Sequence, residues 1–122
     1  MNTVSTAAGV SYSPAGDVVL VAVSGAVVGW LAGSLDASHP VAPVRRAGYI
    51  QAVVVAPGVR RQGVGTALVG AFLDLAREAG VGWVFAAPDE DGDALGRLRW
   101  VHACGFEATS DPDPWPIMGR WT

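Results

Sequence analysis

The chain has 122 residues, enough for a single domain over residues 1–122 with a real core but too few for two. About half of the residues are hydrophobic and 16% are charged, which excludes a disordered chain, and no apolar run is long enough to span a membrane. The formal net charge of −3 argues against nucleic-acid binding, and the single cysteine, which allows no internal disulfide, fits a cytoplasmic protein.

The first half of the chain predicts strands. Residues 1–16 are rich in small and hydroxyl side chains and carry no secretory signal, so they are expected to be a loose tail or a poorly anchored edge strand. The apolar runs 18–23 and 26–32, joined by Ser24 and Gly25, predict a β-hairpin with a two-residue turn. Residues 34–46 contain two prolines and are predicted to be a loop.

A third strand is predicted over residues 48–55, where β-branched side chains dominate, and Pro57 ends it because proline donates no ladder hydrogen bond. From Val64 onward the apolar residues fall at helical spacing, and Gly80 is a natural left-handed cap for that helix. The spacing of the apolar residues therefore changes from that of a strand, before Pro57, to that of a helix, after Val64.

The second half predicts a fourth strand over residues 82–86, a helix over 93–103 ended by Gly105, and closing strands at 106–109 and 117–121. The acidic run 89–93 is interpreted as capping for that helix, with attraction of an amine substrate as the alternative. Antiparallel hairpins and one β–α crossover in the same chain predict an α/β (α+β) fold, with a mixed, mostly antiparallel twisted sheet flanked by helices.

The most informative segment lies between the third strand and the first helix and ends in Arg60-Arg61-Gln62-Gly63-Val64-Gly65. Unpaired backbone N–H groups, the positive end of a helix dipole and arginines meet there, which is how proteins bind phosphate. Two glycines alone are also explained by close packing. A dinucleotide-binding loop does not fit because position 68 is Leu, and a Walker loop does not fit because Gly-Lys-Ser/Thr is absent.

The longer string Val55-x-Pro57-x-x-Arg60-x-x-Gly63-x-Gly65-x-x-Leu68 resembles motif A, the acyl-CoA pyrophosphate loop of the GNAT N-acetyltransferase superfamily. Downstream, Cys104-Gly105-Phe106 at the end of a helix is similar to the family's second motif. The resemblance covers about residues 49–108 and implies a GNAT-like acyl-CoA N-acyltransferase fold. Its N-terminal portion would be shortened, since only about 17 residues precede Val18.

The resemblance implies that acetyl-CoA is the acyl-donor cosubstrate. Backbone N–H groups of the loop would hold its pyrophosphate, and a strand that diverges from its neighbour would hydrogen-bond the pantetheine arm. A backbone N–H near Val54 or Val55 would polarise the thioester carbonyl. The implied cofactor-binding residues are Val53, Val54, Val55, Arg60, Arg61, Gln62, Gly63, Val64, Gly65 and Thr66.

The acid–base residues of the family are not found at their usual places. The position of the usual Glu base holds Gln51, which is able to orient a water, and the position of the usual Tyr acid holds Val101. Gln51 and His102 are the candidate catalytic residues, although an exposed helix histidine is the plainer interpretation of the latter. Four further residues, each with a plainer structural interpretation, are candidates for substrate contact or nucleophilic chemistry: Asp36, His39, Tyr49 and Cys104.

The expected function is direct transfer of an acetyl group from acetyl-CoA to a primary amine of a small molecule or peptide, with no metal. The alternative is a non-catalytic acyl-CoA-binding sensor or regulatory module. Because the shortened N-terminal portion leaves the acceptor site open, we also expect a homodimer in which a second subunit closes it. The sequence names neither the amine nor the length of the acyl chain.

Overall fold

The computed structural model of the chain describes residues 3–6, 17–60, 62–89, 92–110 and 116–122. Two helices, α1 (Val64–Glu78) and α2 (Ala94–Ala103), and a short 3-10 turn (Pro57–Val59) lie among the strands. The strands in chain order are β1 (Thr3–Thr6), β2 (Asp17–Ser24), β3 (Ala26–Ala37), β4 (Ala47–Val55), β5 (Trp83–Ala86), β6 (Glu107–Ala108) and β7 (Met118–Trp121).

The described strands form one seven-stranded sheet in the order β1-β2-β3-β4-β5-β7-β6. Neighbouring strands run antiparallel except β4 and β5, which are parallel. The parallel pair is the one joined through α1, because a parallel connection needs a crossover. This mixed, mostly antiparallel sheet confirms the predicted fold class.

One face of the sheet is covered by α1, which contacts β1 through β5. Its apolar side, including Leu68 and Phe72, is buried against the inward side chains of the strands, such as Leu20 and Leu31. Successive side chains of a strand point to opposite faces of the sheet, so the residues between these inward ones face the other side. There a second cluster forms around Ala47, Trp83 and Phe85, with parts of the 38–46 loop packed on it.

Glycines let α1 lie close to the middle of the sheet. A Cβ on Gly33 would come within 2.8 Å of Cε1 of Phe72, and one on Gly29 would come within 3.0 Å of Cγ1 of Val64. Gly48 likewise faces Phe72, at 3.3 Å. The nearest atoms of all belong to the strands. They are the β4 carbonyl oxygens of Tyr49, at 2.5 Å from the Cβ on Gly33, and of Val54, at 2.9 Å from that on Gly29, and Cγ2 of Val84, at 2.8 Å from that on Gly48. No side chain therefore fits at these positions unless helix and strands both shift.

The predicted hairpin is confirmed, but the prediction that residues 34–46 form a loop is wrong at its start. β3 continues to Ala37, with Leu35 buried and Ala37 paired with Ala47. The polar residues Ser34 and Asp36 misled the prediction because they occupy the outward positions of the strand. The prolines lie beyond the strand end, in the true loop.

At the N-terminus, residues 3–6 are an edge strand that pairs with β2, which is the second of the two predicted alternatives. The predictions for residues 7–16 lie outside the described residues. β4 starts one residue earlier than predicted and β5 one residue later.

The second helix has the predicted cap. Oδ1 of Asp93 accepts a hydrogen bond from the Gly96 N–H at 3.0 Å, and Gly105 ends the helix region with φ +91°. Residues 90 and 91 of the acidic run lie outside the described residues. In the described part of the chain no helix is long and apolar enough to cross a bilayer.

The packing of α1 predicts opposite results for two Gly→Ala variants. Gly33→Ala should lower the free energy of unfolding by about 1–3 kcal/mol, because the new methyl group meets both the Tyr49 carbonyl oxygen and the ring of Phe72. Gly70→Ala lies within α1 with open space around it, so it should raise the free energy of unfolding by up to about 1 kcal/mol.

Urea unfolding of the two variants and the parent chain measures both effects. Equal midpoints for Gly33→Ala and the parent would contradict the close approach of α1 to the sheet.

Candidate functional site

A gap opens between β4 and β5. The two strands pair over three positions, ending at Ile50 opposite Ala86, yet β4 continues to Val55. Its other edge stays paired with β3, where Val53 lies opposite Leu31 and Val55 opposite Gly29. On the β5 side, residues 51–55 therefore present main-chain groups to which no described strand is paired.

The divergence begins at a β-bulge. Ala52 lies opposite Ala32 and Ile50 opposite Gly33, so Gln51 is one residue extra on β4. Such an insertion bends its strand and increases the local twist, which turns the end of β4 away from β5. Gln51 is exposed at the point where the gap begins.

The turn after β4 ends in a helix N-terminus with free donors. Gly63 is the N-cap of α1, with φ +78°, and no side chain caps the helix there. The first helical hydrogen bond runs from the Ala67 N–H to the Gly63 carbonyl at 2.9 Å. The N–H groups of Val64, Gly65 and Thr66, in the first turn of the helix, thus have no helical acceptor, and they form the positive end of the helix dipole.

The two glycines of the turn serve different purposes. Gly63 needs its positive φ and has open space around it. Gly65 faces α2, and a Cβ there would lie 2.9 Å from Cζ2 of Trp100. Close packing, which was the alternative interpretation of the loop, thus explains Gly65. Arg60 is exposed beside the turn, whereas Arg61 lies outside the described residues.

Trp100 joins the first turn of α1 to α2, a contact that the sequence analysis missed. Its Nε1 donates to Oγ1 of Thr66 at 3.4 Å, across 34 residues of chain. No spacing in the sequence indicates this contact. The one feature of the sequence that could have suggested the contact is size: a glycine on one helix leaves room for a large ring on the next.

Cys104 lies one turn after Trp100 and is half-buried. Burial raises the pKa of its thiol, and a hydrogen bond with Thr66 and the charge of Arg120 lower it by less. A neutral thiol is a poor nucleophile, so Cys104 behaves as the small packing residue of the plainer interpretation.

Position 101, where the family's usual acid would stand, and the candidate His102 lie on different sides of α2. Val101 is buried in the core, and His102 is exposed, with Nδ1 3.2 Å from the Phe106 carbonyl. Two residues along a helix are about 200° apart around its axis, so His102 lies opposite the side on which Trp100 contacts α1.

Aromatic rings line the outward face of the sheet where the gap begins. The ring of Tyr49 stacks on Phe85 with centroids 4.9 Å apart, and Trp83 stacks on the same ring at 5.8 Å. His39 packs against Phe85 at 5.5 Å, with Nδ1 accepting from the Val41 N–H. Asp36 forms an ion pair with Arg46 at 3.7 Å.

A cavity of about 370 Å³ lies elsewhere, at the opposite end of β5 from the gap. Trp83, Trp121, Glu107 and Arg120 are among its lining residues. Within the described residues, no three His, Cys, Asp or Glu side chains are grouped so that they could hold a metal ion.

The sequence of residues 6–106 matches the family model described as "Acetyltransferase (GNAT) family". No curated protein matches the chain. Ard1 from Thermoplasma volcanium is 30% identical, with 91% of this chain and 73% of that chain covered and a TM-score of 0.64.

Two other solved structures share the fold at lower identity. An IAA acetyltransferase from Bacillus cereus is 15% identical, with all of both chains covered and a TM-score of 0.72. The PaiA N-acetyltransferase from Thermoplasma acidophilum, solved in complex with coenzyme A, is 12% identical, with 85% of this chain and 60% of that chain covered and a TM-score of 0.68.

The raised pKa of Cys104 predicts a pH profile for its alkylation. In the native protein the rate with iodoacetamide should rise through a midpoint above the ordinary value of 9.0, because the folded state retains the thiol proton. Linkage gives the matching stability effect. The free energy of unfolding should fall as the pH rises above the pKa of the unfolded thiol, until the folded thiol also ionises.

Mass spectrometry of the alkylated chain measures the first effect, and the urea-unfolded protein, with the same single cysteine, is its control. A native midpoint at or below that of the unfolded chain would refute the environment assigned to Cys104.

Proposed function

The chain belongs to the acetyltransferase (GNAT) family, and on that premise we propose that it transfers an acetyl group from acetyl-CoA to a primary amine of a small molecule or peptide. One observation carries the proposal. The gap between β4 and β5 begins at Gln51 and leads directly into a turn with free N–H donors. An elongated anionic thioester needs both features in that order.

The turn suits the pyrophosphate of the donor. The N–H groups of Val64, Gly65 and Thr66 belong to the first turn of α1, and Gly63 before them places no Cβ in the way. Gln62 and Arg60 are exposed at the same turn and add a polar and a charged side chain. Arg61 completes the set on the sequence pattern alone.

The free edge of β4 suits the pantetheine arm. Its amide groups need partners that another strand would normally supply, and residues 51–55 lack a paired strand on that side among the described residues. Val53, Val54 and Val55 are assigned to these contacts. One of the N–H groups, near Val54 or Val55, would donate to the oxygen of the reacting carbonyl.

The reaction itself requires few protein groups. Acetyl-CoA supplies a thioester carbonyl; the amine nitrogen forms the new N–C bond, the C–S bond breaks, and one proton passes from the amine to the thiolate. No covalent bond to the protein is needed, in keeping with the neutral thiol of Cys104. Gln51, beside the start of the gap, would orient a water that accepts the amine proton.

Position 101 supplies no proton to the leaving thiolate, because the side chain of Val101 carries no acidic group and is buried in the core. His102 is the second catalytic candidate from the sequence, and its Nε2 is the ring nitrogen left for proton transfer once Nδ1 contacts the Phe106 carbonyl. The lack of a proton donor at position 101 favours one alternative function, a sensor or regulatory module that binds acyl-CoA without transferring the acyl group.

Free thiol release separates the two functions. We expect thiol to appear from acetyl-CoA on addition of a primary amine, with a product heavier than the amine by one acetyl group. Tight binding of acetyl-CoA by calorimetry without thiol release from any amine would instead support the sensor.

Thr66→Glu tests the phosphate turn, and because it also removes the hydroxyl that contacts Trp100 and Cys104, thermal unfolding checks that the variant folds. A carboxylate in the first turn of a helix is favourable to the helix dipole, but it would repel the pyrophosphate and weaken CoA binding about 100-fold or more. Leu95→Glu is the matched control, since Leu95 is also an exposed residue in the first turn of a helix. Equal affinity of both variants for CoA, by calorimetry, would refute the assigned turn.

Gln51→Ala tests the assigned water. The kcat should fall about 10-fold or more, while the KM for acetyl-CoA stays unchanged, because positioned proton transfer contributes rate and not donor affinity. Gln51→Glu should introduce a base and add an acid limb to the pH profile of kcat. His102→Asn is measured beside them. If kcat falls in His102→Asn and not in Gln51→Ala, the proton transfer is assigned to His102 and not to a water held by Gln51.

A further inference from the structure

The face of the sheet opposite α1 is where an acceptor would approach the gap. The helix α1 fills the inward face, and α2 packs beside its first turn through Trp100. The outward face of β4, in contrast, is only partly covered. Val54 is 44% exposed there, and Trp30, its cross-strand partner on β3, is 38% exposed.

Trp30 and Val54 form an apolar surface that continues along the outward side of β4 to Tyr49, whose half-buried ring stacks on the buried Phe85. Tyr49, Ala52 and Val54 follow one another along the outward side of β4, over about 16 Å at the rise of a strand. Phe85 flanks the first of them and Trp30 the last. The start of the gap, at Gln51, lies between the two aromatic ends.

The surface offers little to a polycationic ligand. β4 and β5 carry no acidic residue, and the carboxylate of Asp36 on β3 is paired with Arg46. Asp89 and Asp93 lie beyond the end of β5, where Asp93 caps α2. A polyamine or an aminoglycoside gives up the hydration of several ammonium groups on binding and needs carboxylates in return. An apolar body, by contrast, gains from covering Trp30 and Tyr49.

We propose that the acceptor is an arylalkylamine, a primary amine on a short chain whose aromatic ring lies on the exposed Trp30–Val54 end of this surface. The inference rests on the proposed transferase function. The amine nitrogen reaches the gap beside Gln51, and the ring supplies the binding energy. Trp30 and Tyr49 are then specificity-determining residues that do not take part in the chemistry.

The experiment compares kcat/KM for phenethylamine, tryptamine, n-hexylamine and spermidine, measured as thiol release. Both arylalkylamines should exceed spermidine at least about 10-fold, since an apolar contact discriminates by roughly 10–200-fold. Trp30→Ala should raise the KM for the preferred arylalkylamine several-fold and leave the KM for acetyl-CoA unchanged. Trp30→Phe should retain most of the parent value.

Leu95→Ala is the control, because Leu95 is an apolar residue with 63% exposure on α2, away from this surface. Tyr49→Leu and Tyr49→Phe repeat the comparison at the other end of the surface, with thermal unfolding used to check that both variants fold. A higher KM for Leu than for Phe at position 49 supports an aromatic contact.

Three results would overturn the inference. Spermidine preferred over the arylalkylamines, or an unchanged amine KM in Trp30→Ala, would leave the transferase function in place and remove this substrate class. A change from dimer to monomer on Trp30→Ala, seen by light scattering, would make the surface an interface between two copies of the chain. Absence of thiol release from every amine would refute the transferase function and this inference together.

Discussion

The close contact between α1 and the middle of the sheet is the constraint on which the site depends. Phe72, Val64 and Leu68 reach the strands only because Gly29, Gly33 and Gly48 present no side chain there. This contact holds the start of α1, with the unbonded N–H groups of its first turn, against the strands beside the gap. A bulkier residue at Gly29 or Gly33 would meet the β4 carbonyl oxygens as well as the helix, and would disturb both parts of the candidate site.

The donor and acceptor sides of the site differ in what builds them. On the proposed donor side the contacts come from main-chain groups, because the turn at Gly63 and the free edge of β4 offer N–H and C=O groups whatever the side chains are. On the acceptor side, the proposed contacts are side chains such as Trp30 and Tyr49. A change of acceptor therefore requires changes in these side chains, while the main-chain contacts to the donor remain.

Trp100 shows how the two helices are coupled at the turn. Its ring fills the space that Gly65 leaves, and its indole N–H bonds to Thr66. The same threonine bonds to Cys104, and Arg120 donates to the Cys104 carbonyl at 2.8 Å. The first turn of α1 is thus held by α2 and, through it, by β7. Such support orients the N–H groups before any ligand is bound.

The sequence by itself determined the elements whose signals are local: the hairpin, the apolar side of α1, the caps at Asp93 and Gly80, and the turn between β4 and α1. It also determined the family, through the order of Pro57, Arg60, Gly63 and Gly65. Local patterns did not show that β3 extends through Asp36, since polar outward residues resemble a loop. Nor did they show the bulge at Gln51 or the contact of Gly65 with Trp100. Only the tertiary structure decided these, because a bulge is defined by the partner strand and a packing contact by residues that are distant in the chain.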